Sequence, residues 1–399
     1  MKKVLFVINT LGKAGAETAL MELFRRLDPK EYEVSLYVLM GQGEMVKELP
    51  EHVKLVNTHY IDCPVLSKEG RPHMRKTVLR AMVSKGTLIR RIPYLVKNLW
   101  GMLRQGKILP EKLLWRILSD GAERITEQFD LAVAYLEGGS TYYVADYVNA
   151  SQKAAFVHVD YQRAGYTPML DGGCYQKYNR IFAVSDEVKK AFLKVYPECE
   201  DKTDVFHNML NCQGIRDKAK QTGGFTDSFD GKRILSVGRL TEQKAFEISI
   251  EAMKLLKEKG ENVRWYILGD GDQRKKLEEL VRKLGLEQDF LMPGAVSNPY
   301  PYMDQSDIYV HASRFEGKSI AIQEAQILGK PILVSDCSGN REQVIPDVDG
   351  LMCQLSPEGI CNGVLELLHD EEKRERLGMN ASQKNDEEET QLEKLISMM

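Results

Sequence analysis

Two glutamates eight positions apart, Glu316 and Glu324 in "SRFEGKSIAIQEA" (residues 313–325), are the first residues whose placement could do chemistry. The apolar pattern predicts a helix from about Ser319 to Gly329. Its first turn would then offer backbone N–H groups at Gly317, Lys318 and Ser319, a natural anion site. Gly317 allows a ligand to come close to the backbone. Glu324 would stand about 9 Å along the axis at roughly 1.5 Å per residue. Carboxylate, anion-binding turn, carboxylate is the order of a sugar, a diphosphate and a ribose in a sugar nucleotide. Glu316 would accept hydrogen bonds from the sugar and Glu324 from the ribose hydroxyls. Taken alone, the pair also fits a helix cap and an ordinary salt bridge.

Three further stretches carry candidates. In "SVGRLTEQKAFEIS", Gly238 ends a strand, Arg239 follows, and Lys244 comes just before a helix. Two cations beside a strand end suit a diphosphate and can stabilise it as a leaving group; a pair of surface cations is the alternative. In "INTLGKAGAET", Gly12 and Gly15 lie between the first strand and the first helix, where backbone can approach a ligand. That stretch is not a full GxGxxG, so a nicotinamide-dependent oxidoreductase is poorly supported. His158 in "AAFVHVDYQ" sits at the carboxyl end of an apolar strand, where it faces a ligand cleft or is a satisfied structural histidine. No His, Cys and Asp cluster has metal-ligand spacing, so no metal is expected.

The elements that would position these residues alternate. "KVLFVIN", "YEVSLYVLM", "DLAVAYL", "KAAFVHV" and "RIFAVS" read as buried parallel strands, with "ETALMELFRRL" a helix. The pattern restarts with "RILSVG", "VRWYILG", "DIYVHAS" and "PILVSD" as strands separated by helical segments. This predicts an α/β protein of two Rossmann-like doubly wound domains facing a central cleft. The expected domains are 1–200, 201–375 and a C-terminal helix in 376–399 that packs back on the first.

At 399 residues the chain is long enough for two cores, and its net charge of −3 gives no global pull toward nucleic acid. The apolar run after the initial lysines ends at Asn9, which fits a strand rather than a signal peptide. No stretch is long and apolar enough for a membrane span. Seven scattered cysteines without a CxxC pair suit reduced thiols in the cytoplasm. Residues 66–116 stand apart: thirteen Lys and Arg against two Glu, interleaved with Tyr94, Trp100, Trp115 and aliphatics. Such a segment suits the surface of a membrane, a solvated face or a basic rim for an anionic substrate.

Taken together, "SVGRLTEQK", "ILGDGD", "FEGKSIAIQEA", "GKPILVSD" and "VDGLM", in that order, resemble the family-4 glycosyltransferases, retaining enzymes of the GT-B fold. "GKAGAE", "AVSDEV" and "FHNMLN" are weaker matches. The resemblance implies a retaining transfer from a nucleotide sugar, with UDP favoured, to a glycan or lipid-linked hydroxyl in surface polysaccharide synthesis. It implies that Glu316 contacts the donor sugar, Glu324 the ribose, and Arg239 and Lys244 the diphosphate. Gly15 would approach the donor, and His158 matches the family's active-site histidine near the transferred sugar. Glu342 takes the position of a glutamate after the last donor-side loop. No cofactor is implied, and transfer without a metal is expected.

Three departures stand out. Ala245 replaces the usual glycine after the lysine, Lys318 stands where an aromatic residue often follows "EG", and the usual "GG-x-P-E" loop reads "SGNRE". The sugar pocket is therefore less defined than the diphosphate end. A sugar-nucleotide 2-epimerase and a non-catalytic sugar-nucleotide-binding protein remain open. The expected location is the cytoplasm, at the inner membrane face if residues 66–116 bind lipid.

Overall fold

The computed structural model describes every residue except 66, 105, 107 and 385–388. Residues 66, 105 and 107 of the basic segment, and residues 385–388 of the stretch expected as the C-terminal helix, therefore lie outside the described residues. The chain divides into two compact units, Met1–Leu210 with Glu388–Met399, and Asn211–Glu387.

The first unit is built on seven strands: β1 Lys2–Ile8, β2 Tyr32–Val38, β3 Val53–Leu55, β4 Gln128–Ala134, β5 Asn149–Val157, β6 Arg180–Ala183 and β7 Thr203–Val205. Their order is β3-β2-β1-β4-β5-β6-β7, and every pairing is parallel. A parallel sheet is covered on both faces, which is why β1, β4, β5 and β6 each carry a run of consecutive apolar residues. Along β1, Val4, Phe6 and Ile8 enter one core cluster while Leu5 and Val7 enter the other. The two-residue period of the strand thus feeds two separate cores.

The second unit has six strands: β8 Lys232–Val237, β9 Val263–Leu268, β10 Phe290–Gly294, β11 Ile308–His311, β12 Ile332–Ser335 and β13 Leu351–Cys353. They lie in the order β10-β9-β8-β11-β12-β13, again wholly parallel. Its core joins Ile234, Trp265 and Val310 of the sheet to Ile250 and Met253 of the helix Phe246–Glu258 and to Ile360 and Val364 of the helix Pro357–His369. Both units are Rossmann-like α/β layers, the expected class.

The unit boundaries differ from those read in the sequence. β7 pairs with β6, Thr203 opposite Ile181, so the first unit runs to Leu210 rather than ending at 200. The tail is also divided. The helix Glu371–Ser382 contributes Leu377 to the core of the second unit. The last helix, Glu389–Ile396, inserts fully buried Leu395 beside Val4 and Phe6 of the first. There the His207 amide donates to Gln391 Oε1 at 3.1 Å. Among the described residues no helix is long and apolar enough to cross a membrane.

Candidate active site

In the second sheet the chain builds β8, β9 and β10 outward to one side, then returns to lay β11 against the other side of β8. This is a topological switch point, where the loops leaving two adjacent strands diverge and open a crevice at their carboxyl ends. The loop after β8 carries Gly238, Arg239 and Lys244; the loop after β11 carries Glu316, Gly317, Lys318 and Ser319.

Glu316 is buried, and its carboxylate gathers most of the loop around it. Oε1 accepts from Lys244 Nζ at 2.6 Å, from Ser313 Oγ at 2.6 Å and from His311 Nε2 at 3.0 Å. Burial alone would raise the pKa of this carboxyl. The Lys244 charge and the His311 hydrogen bond outweigh burial and hold it well below the usual carboxylate range, so Glu316 is ionised. Burial, and then the charge of Lys244, push His311 down, so its imidazole is neutral at pH 7. Its Nε2 is also 3.2 Å from Lys244 Nζ and 3.3 Å from Ser319 Oγ.

Arg239 contrasts with Lys244. It is exposed, and among the described residues its guanidinium has no hydrogen bond, ion pair or ring contact. One cation of the pair is held by a buried carboxylate and the other is uncommitted. Gly238, between strand and cation, packs on the Lys244 stem: a Cβ there would lie 3.4 Å from Lys244 Cε. Ala245 sits at φ 48°, in the left-handed region that favours glycine. The turn therefore keeps the glycine geometry although the residue has changed, at a backbone cost.

The anion-binding turn read in the sequence is corrected at Ser319. Its amide donates to Gln343 Oε1 at 2.6 Å, and its carbonyl accepts from Gln343 Nε2 at 2.8 Å. That N–H is already satisfied, so the first-turn donors are fewer than expected. Gln343 ends the short helix Ser338–Gln343, the "SGNRE" segment. Gly339 in the same helix lies against the Glu316–Gly317 backbone, where a Cβ would be 2.0 Å from the Gly317 carbonyl oxygen. Lys318 and Glu342 are both half-buried.

Glu324 lies in the helix Ile320–Ile327 and is buried. Tyr300 donates its hydroxyl to Oε1 at 2.8 Å. Burial dominates and raises this carboxyl to about 7, against the opposing pull of the Tyr300 hydrogen bond. The two glutamates therefore differ in charge at neutral pH, Glu316 fully ionised and Glu324 only partly.

The first unit also has a switch point, between β1 and β4. Gly15 is the exposed first residue of the helix Gly15–Arg26 that follows β1. Asn9, just past β1, donates from Nδ2 to the Glu137 carbonyl at 3.0 Å and accepts from the Ser140 amide at 2.7 Å. Glu137 Oε2 in turn accepts from the His158 amide at 3.1 Å. His158 follows β5. Its ring packs against Tyr135, and its Nε2 is buried without a hydrogen-bond partner among the described residues. Burial lowers its pKa to about 4, against a hydrogen bond to the Tyr135 backbone. It is a neutral imidazole with one nitrogen unsatisfied.

Sequence reading missed His311, Ser313, Gln343, Tyr300 and Asn9. A polar residue closing an apolar strand was the available signal for His311 and Asn9. For Tyr300 and Gln343, which come from other elements, there was none.

Residues 225–384 match the family described as Glycosyl transferases group 1. An uncharacterized glycosyltransferase of Methanocaldococcus jannaschii is 31% identical over 183 residues, 44% of each chain. The Campylobacter jejuni N-acetylgalactosamine-N,N'-diacetylbacillosaminyl-diphospho-undecaprenol 4-alpha-N-acetylgalactosaminyltransferase is 31% identical over 175 residues, 43% of this chain and 46% of that one. The chain thus spans about half the length of these curated relatives. Among solved structures, Anabaena HepE in complex with UDP-glucose superposes over 100% of both chains with a TM-score of 0.71 and 18% identity. At that identity the likeness shows the fold alone, the GT-B class of two Rossmann-like domains.

Proposed function

We propose that this chain, whose residues 225–384 belong to the glycosyl transferases group 1 family, is a glycosyltransferase that takes a sugar from a nucleotide-sugar donor. The acceptor is a hydroxyl of a glycan or lipid-linked glycan, and the product belongs to cell-surface polysaccharide synthesis. The Campylobacter relative is named for a diphospho-undecaprenol-linked acceptor, which supports that class. A UDP donor is supported by the UDP-glucose complex of the structural neighbour. The reaction proceeds with retention at the anomeric carbon and without a metal.

The observation that carries this reading is the switch point of the second unit. Uncommitted Arg239 stands after β8, while ionised Glu316 and buried Glu324 follow the adjacent β11. In the reaction the acceptor oxygen bonds to the anomeric carbon, the bond from that carbon to the diphosphate oxygen breaks, and the acceptor proton is lost. Charge develops on the departing diphosphate. Arg239 meets it directly, and the Lys244 ammonium adds to the local positive field while it orients Glu316. Glu316, an acceptor only in its ionised form, receives hydrogen bonds from donor-sugar hydroxyls. Glu324 receives those of the ribose. Gly317 and Lys318 line the donor.

The test is turnover with sugar nucleotides and a panel of glycan and polyprenyl-linked acceptors, the anomeric configuration being read by NMR. An α-linked product from an α-donor supports the reading. Conversion of the donor alone, with no acceptor, would assign a 2-epimerase instead. Tight donor binding without turnover on any acceptor would assign a binding protein.

A further inference from the structure

The first unit carries a surface that the donor site does not use. The helix Ile92–Arg104 is apolar on both sides. Its inner face, Leu95 and Met102, joins a small core with Leu113 and Leu170, and Tyr94 donates to the Leu170 carbonyl at 3.1 Å. Its outer face is a continuous stripe of Ile92, Val96, Leu99, Trp100 and Leu103, from 41% to 63% exposed. An outward face is normally the polar one. Ile89, 75% exposed in the preceding turn of helix, and Val83, 77% exposed at the end of the helix Gly70–Val83, extend the apolar surface. Apolar groups clustered in this way mark an interaction site.

Basic groups stand on the same helix and on the helix Gly70–Val83. Arg75, Lys76, Arg80, Lys97 and Arg104 are exposed, and among the described residues none has a carboxylate partner. The Arg104 guanidinium lies 3.5 Å from the centroid of the Trp100 ring. The chain as a whole is at −3, yet residues 66–116 hold thirteen Lys and Arg against two Glu. A second copy would bring the same positive charge to the same face and be repelled. A surface both anionic and apolar is complementary, and a bilayer of anionic lipids has that chemistry: headgroups for the cations, acyl chains for the stripe, the boundary between them for Trp100.

We propose that the outer face of the helix Ile92–Arg104, with the basic groups beside it, docks on an anionic lipid bilayer and lies in its interface rather than crossing it. The surface belongs to the first unit, so the proposal stands whether or not the chain transfers a sugar.

Co-sedimentation of the full chain with vesicles tests it without an activity assay. Vesicles of phosphatidylcholine with phosphatidylglycerol should carry the protein down, and those of phosphatidylcholine alone should not. Binding should weaken about tenfold or more as salt rises from about 0.05 M to about 0.5 M, because the Debye length shrinks. Lipid brominated along the acyl chain should quench Trp100, the most exposed of the three tryptophans. Val96→Asp with Leu103→Asp, and separately Arg80→Glu with Lys97→Glu, should each abolish sedimentation while circular dichroism and melting temperature stay near wild type. Absence of binding at low salt would overturn the proposal, as would undiminished binding of the folded Val96/Leu103 variant. Self-association in ultracentrifugation that the same variants abolish, without vesicle binding, would assign the face to a second copy.

Discussion

Lys244 Nζ lies 2.6 Å from Glu316 Oε1, and both side chains are largely withdrawn from water, at 15% and 7% exposure. Each was expected to hold a different part of a ligand. The structure joins them, so each is the other's main electrostatic support. Removing one leaves the other as a poorly solvated charge. Lys244→Met should therefore destabilise the protein by about 3–5 kcal/mol, the range for breaking a buried pair. Lys244→Met with Glu316→Gln should cost less than the sum of the single changes. Urea unfolding of the four proteins of this cycle measures the coupling; additive effects would show that the pair is not the unit described.

Among the described residues the Arg239 side chain has no partner to lose. Arg239→Ala should leave the melting temperature within a degree or two while lowering kcat by about 10²–10³, the loss seen when a group that stabilises developing charge is removed. Steady-state kinetics beside a thermal melt separates the two effects. A large loss of stability would mean that Arg239 holds the fold.

Glu324 gives a pH dependence with a definite sign. Its folded pKa of about 7 lies above the ordinary glutamate value of 4.5. The unfolded chain thus releases this proton at lower pH than the folded one. The contribution to stability is full below about 4.5 and is lost as pH rises through about 7. The loss is about 3 kcal/mol at roughly 1.4 kcal/mol per pH unit. Glu324→Gln should raise the melting temperature at pH 8 and change it little at pH 4. Hydroxyls of a bound ribose donate to the ionised form, so nucleotide affinity should rise with pH through about 7, and binding should release protons. Calorimetry in buffers of differing ionisation enthalpy measures that release.

Gly339 couples the "SGNRE" segment to the Glu316 loop. A methyl group there would overlap the Gly317 carbonyl oxygen at 2.0 Å and the Glu316 carbonyl oxygen at 2.7 Å. Backbone cannot swing aside as a side chain does. Gly339→Ala should destabilise by about 1–3 kcal/mol, as overpacking does, and should weaken donor binding by displacing Glu316. Measured nucleotide affinity equal to wild type would show that the loop absorbs the change.

The strands that run deep into the sheets were legible because both faces are covered. β1, β2, β4 and β5 are apolar at successive positions, and no helix or loop pattern explains such runs. β3, β7, β10 and β13 were missed. They are only three to five residues long and edge or near-edge members, too short to show a period. Missing β7 also moved the unit boundary. In the site, residue types were legible and their pairings were not. Glu316, Arg239, Lys244 and Glu324 declare themselves by charge in apolar surroundings. That the Ser319 amide is taken by Gln343, 24 residues later on another helix, could not be read from local spacing.

The most direct test of the central claim, that the second unit binds the nucleoside diphosphate part of a sugar nucleotide, is a thermal-shift panel. UDP, GDP, ADP and their common sugar conjugates would be measured on wild type, Arg239→Ala and Glu324→Ala. A ligand that binds only the folded chain raises the melting temperature by mass action. One nucleoside diphosphate should raise that of wild type by several degrees, with the rise reduced in both variants. No rise with any nucleotide, or an equal rise in all three proteins, would contradict a donor site at Arg239 and Glu324.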